Sequence, residues 1–232
     1  AATTMKVDEK NTAPTIKKEA SQTTASVGQE ITFTVTVTAG GAADTSYIVH
    51  DKMTDGLDLV ANTIEIKVND VAVLADNYTI TTSDHEFDIE FKQTYTATLD
   101  KNTDIVITYK AIVNEKAIET SNVTNEVKLT YGQSSSTEGK VTIKNYDFEL
   151  VKVNEAGEQL SGAKFKLYDA KDNEVLLVKE GDSYRPAKNG ENGVEIEAGK
   201  VRINGLASGT YFLEETQAPE GYNQLVARHE FE

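Results

Sequence analysis

Eight residues, Ile31 to Thr38, most constrain how this chain can fold. Ile31, Phe33, Val35 and Val37 alternate with Thr32, Thr34, Thr36 and Thr38. In an extended strand successive side chains point to opposite faces, so this text has one apolar face and one face of β-branched threonines. The threonines are expected on the wet side of a half-buried strand. Further strands are predicted at 46–51, 63–67, 77–81, 86–91, 104–113 and 122–131. Turn formers separate them: Gly40 and Gly41, Asp55 and Gly56, Asn69 and Asp70, and Asp100 to Asn102. Only Ala111 to Thr120 hints at a helical turn. Short strands at this spacing predict an all-β sandwich rather than a parallel sheet covered by helices.

The polar run Gly132 to Gly139 is predicted as a linker, and β texture resumes at Val141. The expectation is two tandem immunoglobulin-like β-sandwich domains, 14–132 and 140–232, joined at 133–139. Residues 1–13 read as a linker or the end of a preceding domain. Motifs and turn spacing differ between the halves, so they are not repeats. The last residues, Arg228 to Glu232, read as the middle of a strand, so the closing strand is expected to be truncated. With no signal peptide opening the chain, the protein is either cytosolic or a segment of a longer exported precursor, and the strand-like end favours the second. The 232 residues include 23 basic and 38 acidic side chains, a formal net charge of -15, which disfavours nucleic acid and anionic membranes as partners. There is no cysteine, so disulfides and thiolate metal sites are excluded. No apolar run is long enough to span a bilayer, and no membrane contact or cofactor is expected.

Chemistry is suggested by charged and amide groups that fall within apolar rows. In the first half Ile16 and Lys18 share a parity, which turns Lys17 to solvent. Asp51 shares a face with Tyr47 and Val49. Asn125 shares one with Val123, Val127 and Leu129. Each alone has a plain explanation: a strand-end lysine, a turn-capping aspartate, a satisfied core amide. Lys17 remains the competitor of Lys18, since strand register is the weak point of such reasoning. In the second half Lys152 shares a face with Phe148 and Leu150, and Glu215 with Tyr211 and Leu213. Lys152 as a strand-end residue reaching water is the simple alternative. A buried carboxylate without a partner is costly, so Glu215 needs one.

The stretch Tyr211 to Tyr222 resembles the E-box of Gram-positive pilins, with Tyr211, Leu213, Glu215, Pro219, Gly221 and Tyr222 at the specified positions. With Phe148, Leu150 and Lys152, the run Leu160 to Tyr168, and Gly205 to Glu215, it is similar to the Cna B-type fold across 146–231. The first half resembles the fimbrial D2-type domain, related to the Cna A-type fold, through Lys18, Val27 and Gly28, Asp51 to Leu57, Ile107 to Ala111, and Asn125 to Tyr131. These resemblances imply spontaneous amide bonds between lysine and asparagine side chains, assisted by a carboxyl. In the first domain they imply Lys18 and Asn125, with Asp51 assisting. In the second they imply Lys152, with Glu215 assisting. The second asparagine is expected after Phe231 and is absent there; Asn223, in the turn after the E-box, is a poor substitute.

The resemblance further implies a segment of a cell-wall-anchored pilus shaft on the bacterial surface, joined to neighbouring pilin subunits by sortase-made links. None of Lys6, Lys10 and Lys17 has the surroundings of an intersubunit acceptor. An adhesin or tip module binding a host matrix or cell-surface ligand is the alternative. The sparse aromatic content, 7 Phe, 10 Tyr and no Trp, argues against it. A hydrolase is disfavoured, because Glu214 and Glu215 face opposite sides of a strand and cannot flank one bond. His50, His85 and His229 have no metal-ligand spacing, and no nucleophile elbow is present. The acidic loop Asp55 to Asp58 lacks the ligand spacing of an EF-hand and reads as solvated surface.

Overall fold

In the computed structural model, which describes residues 12–41 and 45–232, the alternating segment becomes the second of ten strands around a first core. In chain order these are β1 (Thr15–Ala20), β2 (Glu30–Thr38), β3 (Tyr47–Met53), β4 (Leu57–Val68), β5 (Val71–Ala72), β6 (Tyr78–Thr82), β7 (Glu86–Phe91), β8 (Asp104–Val113), β9 (Asn122–Tyr131) and β10 (Ser134–Lys144). They form two facing sheets, ordered β1-β2-β8-β4-β5 and β10-β9-β3-β7-β6. Ile31, Phe33, Val35 and Val37 are fully buried between them. At about 1.5–3 kcal/mol for each large apolar side chain, this row alone contributes roughly 6–12 kcal/mol of gross burial energy. The opposite face is less wet than its pattern implies, for Thr36 is also buried. Its cross-strand neighbours Lys17 and Val106, on either side of the central β2, cover it.

The predicted helical turn is α2 (Ala117–Thr120), which follows α1 (Gln93–Thr96) in the chain. β4 is longer than the predicted strand at 63–67, and its pairing with β8 shifts register between Val60 and Glu65. The linker expected at 133–139 is corrected. Gly132, at φ +57, and Gln133 form a tight turn, and β10 pairs back antiparallel on β9 from Ser134 onward. A hairpin needs only those two residues, and an edge strand tolerates the polar text that resembled a linker. Val141 and Ile143, expected in the second domain, pack on the first core. Residues 1–11, read as a linker with Lys6 and Lys10 among them, lie outside the described residues.

The second group comprises β11 (Tyr146–Val151), β12 (Lys164–Asp169), β13 (Glu174–Val175), β14 (Leu177–Glu180), β15 (Ser183–Pro186), β16 (Ile196–Glu197), β17 (Lys200–Leu206), β18 (Tyr211–Gln217) and β19 (His229–Phe231). Its sheets are β11-β17-β15-β14 and β13-β12-β18-β19, with β16 also pairing β12. They enclose a separate core that includes Phe165, Tyr184, Ile203 and Leu213. The molecule is thus all-β with two sandwich cores in tandem. The loop before β2 bridges them: Val27 N donates to Gly205 O at 2.9 Å, and Ala207 N to Ser26 Oγ at 2.8 Å. Gly28 sits at φ +88, and a Cβ there would come within 2.7 Å of the Ala187 carbonyl oxygen, so this crossing requires glycine.

Candidate functional site

The parity of β1 separates its adjacent lysines. Lys17 points outward, its side chain 64% exposed and 3.7 Å from Glu19. Lys18 points between the sheets, its side chain fully buried. β10 closes over it: a Cβ on Gly139 would lie 3.0 Å from Lys18 N and 3.1 Å from its Cβ, so glycine permits the close approach. From the facing sheet, β3 presents Asp51 and β9 presents Asn125, both buried. Asp51 is directly opposite Val127, so Asn125 is its diagonal neighbour on the same face.

Lys18 Nζ lies 2.5 Å from Asn125 Oδ1 and donates to Asp51 Oδ2. Tyr109, on β8 of the lysine's own sheet, completes the cluster. Its hydroxyl donates to Asp51 Oδ2 at 2.7 Å and accepts from Asn125 Nδ2 at 2.7 Å. The amine also sits 5.3 Å from the centre of the Tyr109 ring and 5.7 Å from that of Phe33. Burial dominates the electrostatics. It lowers the Lys18 pKa from its usual value to about 8, against the raising effect of Asp51. Burial likewise raises the Asp51 carboxyl, against the lowering effects of Lys18 and Tyr109. Asp51 Oδ1 has no hydrogen-bond partner, which adds to the cost of the charged carboxylate. Both shifts favour a neutral amine beside a neutral acid.

Such an arrangement can do acyl-transfer chemistry. A neutral amine is a nucleophile, an acid can polarise an amide carbonyl, and both are held against an asparagine in a buried core. The sequence pattern alone does not single out Tyr109. It occupies the apolar row of Ile105, Ile107 and Ala111, where a tyrosine passes for a core aromatic. The available signal was the hydroxyl, which must find a partner when buried.

In the second group Lys152 and Glu215 are brought together, with Lys152 Nζ 3.2 Å from Glu215 Oε1. That contact lacks hydrogen-bond geometry. Glu215 is buried beside Tyr211 and Leu213, as its parity predicts. Its Oε2 accepts from Leu225 N at 2.6 Å. Among the described residues no asparagine side chain hydrogen-bonds to either member, and Asn223 is exposed. The place expected for the missing asparagine is also corrected. β19 runs antiparallel to β18 with Phe231 opposite Tyr211, so the chain there heads away from Glu215. Glu232 lies beside Thr210, with 3.4 Å between Thr210 Oγ1 and its Oε1.

The remaining candidates have structural surroundings. Glu214 faces away from Glu215 and pairs with Arg228. Asp58 accepts from Asn114 Nδ2 at 2.9 Å. His50 Nδ1 is 2.7 Å from Asp88 Oδ1, and Nε2 is 3.1 Å from Thr130 Oγ1, but this chain lies on the open outer face of its sheet. Among the described residues no group of three or more His, Cys, Asp or Glu is placed to hold a metal ion.

Residues 146–232 match the SpaA prealbumin-like fold domain family. Among curated proteins none matches the sequence. Among solved structures, the fold is similar to that of Gram-positive pilus backbone proteins. The pilus 2b backbone protein of group B streptococcus is 22% identical with a TM-score of 0.72, over 92% of this chain and 88% of that one. The pilus backbone RrgB of Streptococcus pneumoniae is 17% identical with a TM-score of 0.70, over 95% and 93%. BcpA, the major pilin subunit of Bacillus cereus, is 18% identical with a TM-score of 0.66, over 94% of this chain and 65% of that one.

Proposed function

We propose that this chain is a structural segment of a cell-surface pilus shaft. In this reading its first domain, a D2-type sandwich, is stapled by an isopeptide bond between Lys18 and Asn125. The carrying observation is the buried Lys18 amine 2.5 Å from the Asn125 amide oxygen, with Asp51 alongside. Asp51 takes a proton from Lys18, the neutral amine attacks the Asn125 amide carbon, and ammonia departs. The protein turns over once, on itself, so its role is structural rather than enzymatic.

The bond suits a chain without cysteine that works under tension. It closes a sequence separation of 107 residues. By analogy with a disulfide across a loop of that size, it stabilises the fold by about 4–5 kcal/mol, and reductants leave it intact. Tension entering β1 passes from Lys18 to Asn125 and bypasses the strands between them. The second domain, with its E-box at Tyr211 to Tyr222, supplies a Lys152–Glu215 pair without a bonded asparagine among the described residues. Support for the shaft reading comes from the fold shared with pilus backbone proteins of several Gram-positive bacteria. The partners are then neighbouring pilin subunits, joined by sortase.

Intact-mass measurement on the denatured chain tests the bond. The expected mass is lower than the sequence mass by one ammonia, and Lys18→Ala or Asn125→Ala restores the full mass. A folded wild-type chain of unmodified mass would refute the reading.

A further inference from the structure

We propose that Tyr109 is a catalytic residue of this bond formation, its phenol carrying the proton to the departing amide nitrogen. The proposal rests on the bond-forming reading of the cluster. It goes beyond that reading by assigning the step that amine, acid and amide leave without an agent. An amide nitrogen is a poor leaving group until it is protonated. Among the described contacts, Asp51 bonds to Lys18 and Tyr109 but not to Asn125 Nδ2. Only the Tyr109 hydroxyl touches both the acid and the nitrogen that must leave, each at 2.7 Å. The four groups form a closed ring: amine, carboxyl, phenol, and the amide returning through its oxygen to the amine.

The ring balances every proton. Lys18 first gives a proton to Asp51. Its amine then attacks the Asn125 amide carbon, forming the C–N bond and moving the carbonyl pair onto Oδ1. The former amide nitrogen regains its lone pair and takes the Tyr109 proton. Tyr109 is reprotonated by Asp51, and Asp51 recovers a proton from the attacking nitrogen. Collapse of Oδ1 to a carbonyl expels ammonia, leaving one amide bond, Tyr109 as it began, and Asp51 carrying the one proton that Lys18 gave up at the start. The phenol's surroundings suit a relay. Tyr109 is fixed by the Phe33 ring at 5.5 Å and the Phe87 ring at 4.8 Å. Burial and the neighbouring Asp51 hold its pKa well above the usual value, so it stays protonated until needed. Among the described residues no tyrosine hydroxyl bonds to Lys152 or Glu215.

The test uses the full chain made by cell-free translation, quenched in denaturant at intervals and weighed intact. Hydrogen exchange in β8 checks that each variant folds. Wild type is expected to lose one ammonia. Tyr109→Phe keeps the ring packing and is expected to react about 100-fold more slowly, the scale of general acid–base assistance. Ring-fluorinated tyrosines keep the hydroxyl and are expected to stay within about tenfold of wild type, with rates that follow phenol acidity. Should Tyr109→Phe fail to fold, the fluorinated series decides alone. Wild-type speed in Tyr109→Phe, or a rate indifferent to phenol acidity, overturns the role of Tyr109 and leaves the Lys18–Asn125 bond standing. No ammonia loss from wild type removes the bond itself, and the relay with it.

Discussion

Lys18 and Lys152 each meet a carboxylate that shares a strand face with large apolar residues, yet the two pairs are built for different ends. Lys18 is sealed between two facing sheets, and its acid bonds onward to a phenol that reaches an amide. Lys152 follows the end of β11, and its side chain keeps 18% of its surface in water. Glu215 commits its second oxygen to the backbone of Leu225. The first carboxyl sits beside an amine held against an amide, and the second pins the chain after β18 to the sandwich. The contrast teaches that a buried lysine beside an acid marks reactivity only when an amide completes the set. Otherwise it is a partly screened ion pair with a packing role.

Asn125→Ala breaks the comparison most severely. It is expected to abolish ammonia loss and to lower the guanidinium unfolding midpoint by the equivalent of about 4–5 kcal/mol, the staple's loop-closure contribution. The buried Lys18 then also loses its amide contact, so this loss is a lower bound. The second core is expected to keep its hydrogen-exchange protection. A variant with wild-type mass change would assign the bond to other residues.

The pH profile of the reaction sharpens the same contrast, because it reads the buried Lys18–Asp51 pair directly. The productive state has one proton shared by Lys18 and Asp51. Above about pH 8 that last proton is lost, since burial has lowered Lys18 to about that value. The carboxylate then has no proton for the leaving nitrogen. In acid, below the raised pKa of Asp51, both groups are protonated and the amine is no longer a nucleophile. The rate is therefore expected to be bell-shaped, falling about tenfold per unit beyond either limb. A rate that climbs steadily to pH 10 would show that Asp51 contributes no proton.

Glu215→Ala probes the other member. It removes the acceptor of the Leu225 N–H and the counter-charge of Lys152, at an expected cost of about 2–3 kcal/mol. Because Lys152 reaches water, the cost stays below that of breaking a fully buried pair. The ammonia loss should not change, and exchange protection should fall in β18 and β19 while β1, β3 and β9 keep theirs. A smaller ammonia loss than wild type in this variant would mean that the second pair also reacts.

Much of this contrast is legible in the residues, because period-two arithmetic is robust over short strands. The parity of Ile16 and Lys18, of Val49 and Asp51, and of Val123 and Asn125 aims three polar groups into one core. Two things escaped because they depend on partners rather than on pattern. Tyr109 satisfies an apolar row, and only the facing Asp51 and Asn125 reveal its hydroxyl as functional. Gly132 to Gly139 has a linker's composition, and only its pairing with β9 reveals a strand. Strand direction is likewise invisible in one strand's text, and the position expected for the second asparagine, after Phe231, lies at the end of β18 far from Glu215.

Lys17→Ala is the smallest change and the cleanest check on that arithmetic. Lys17 and Lys18 are the same residue type one position apart, so composition and net charge change identically when either is removed. Exposed on the outer face with only a 3.7 Å contact to Glu19, Lys17 is expected to contribute within about 0.5 kcal/mol. Lys17→Ala should leave both the ammonia loss and the unfolding midpoint at wild-type values. Lys18→Ala should remove the loss entirely. The opposite pattern would mean that β1 pairs one residue out of register, which would carry Ile16 to the surface with it.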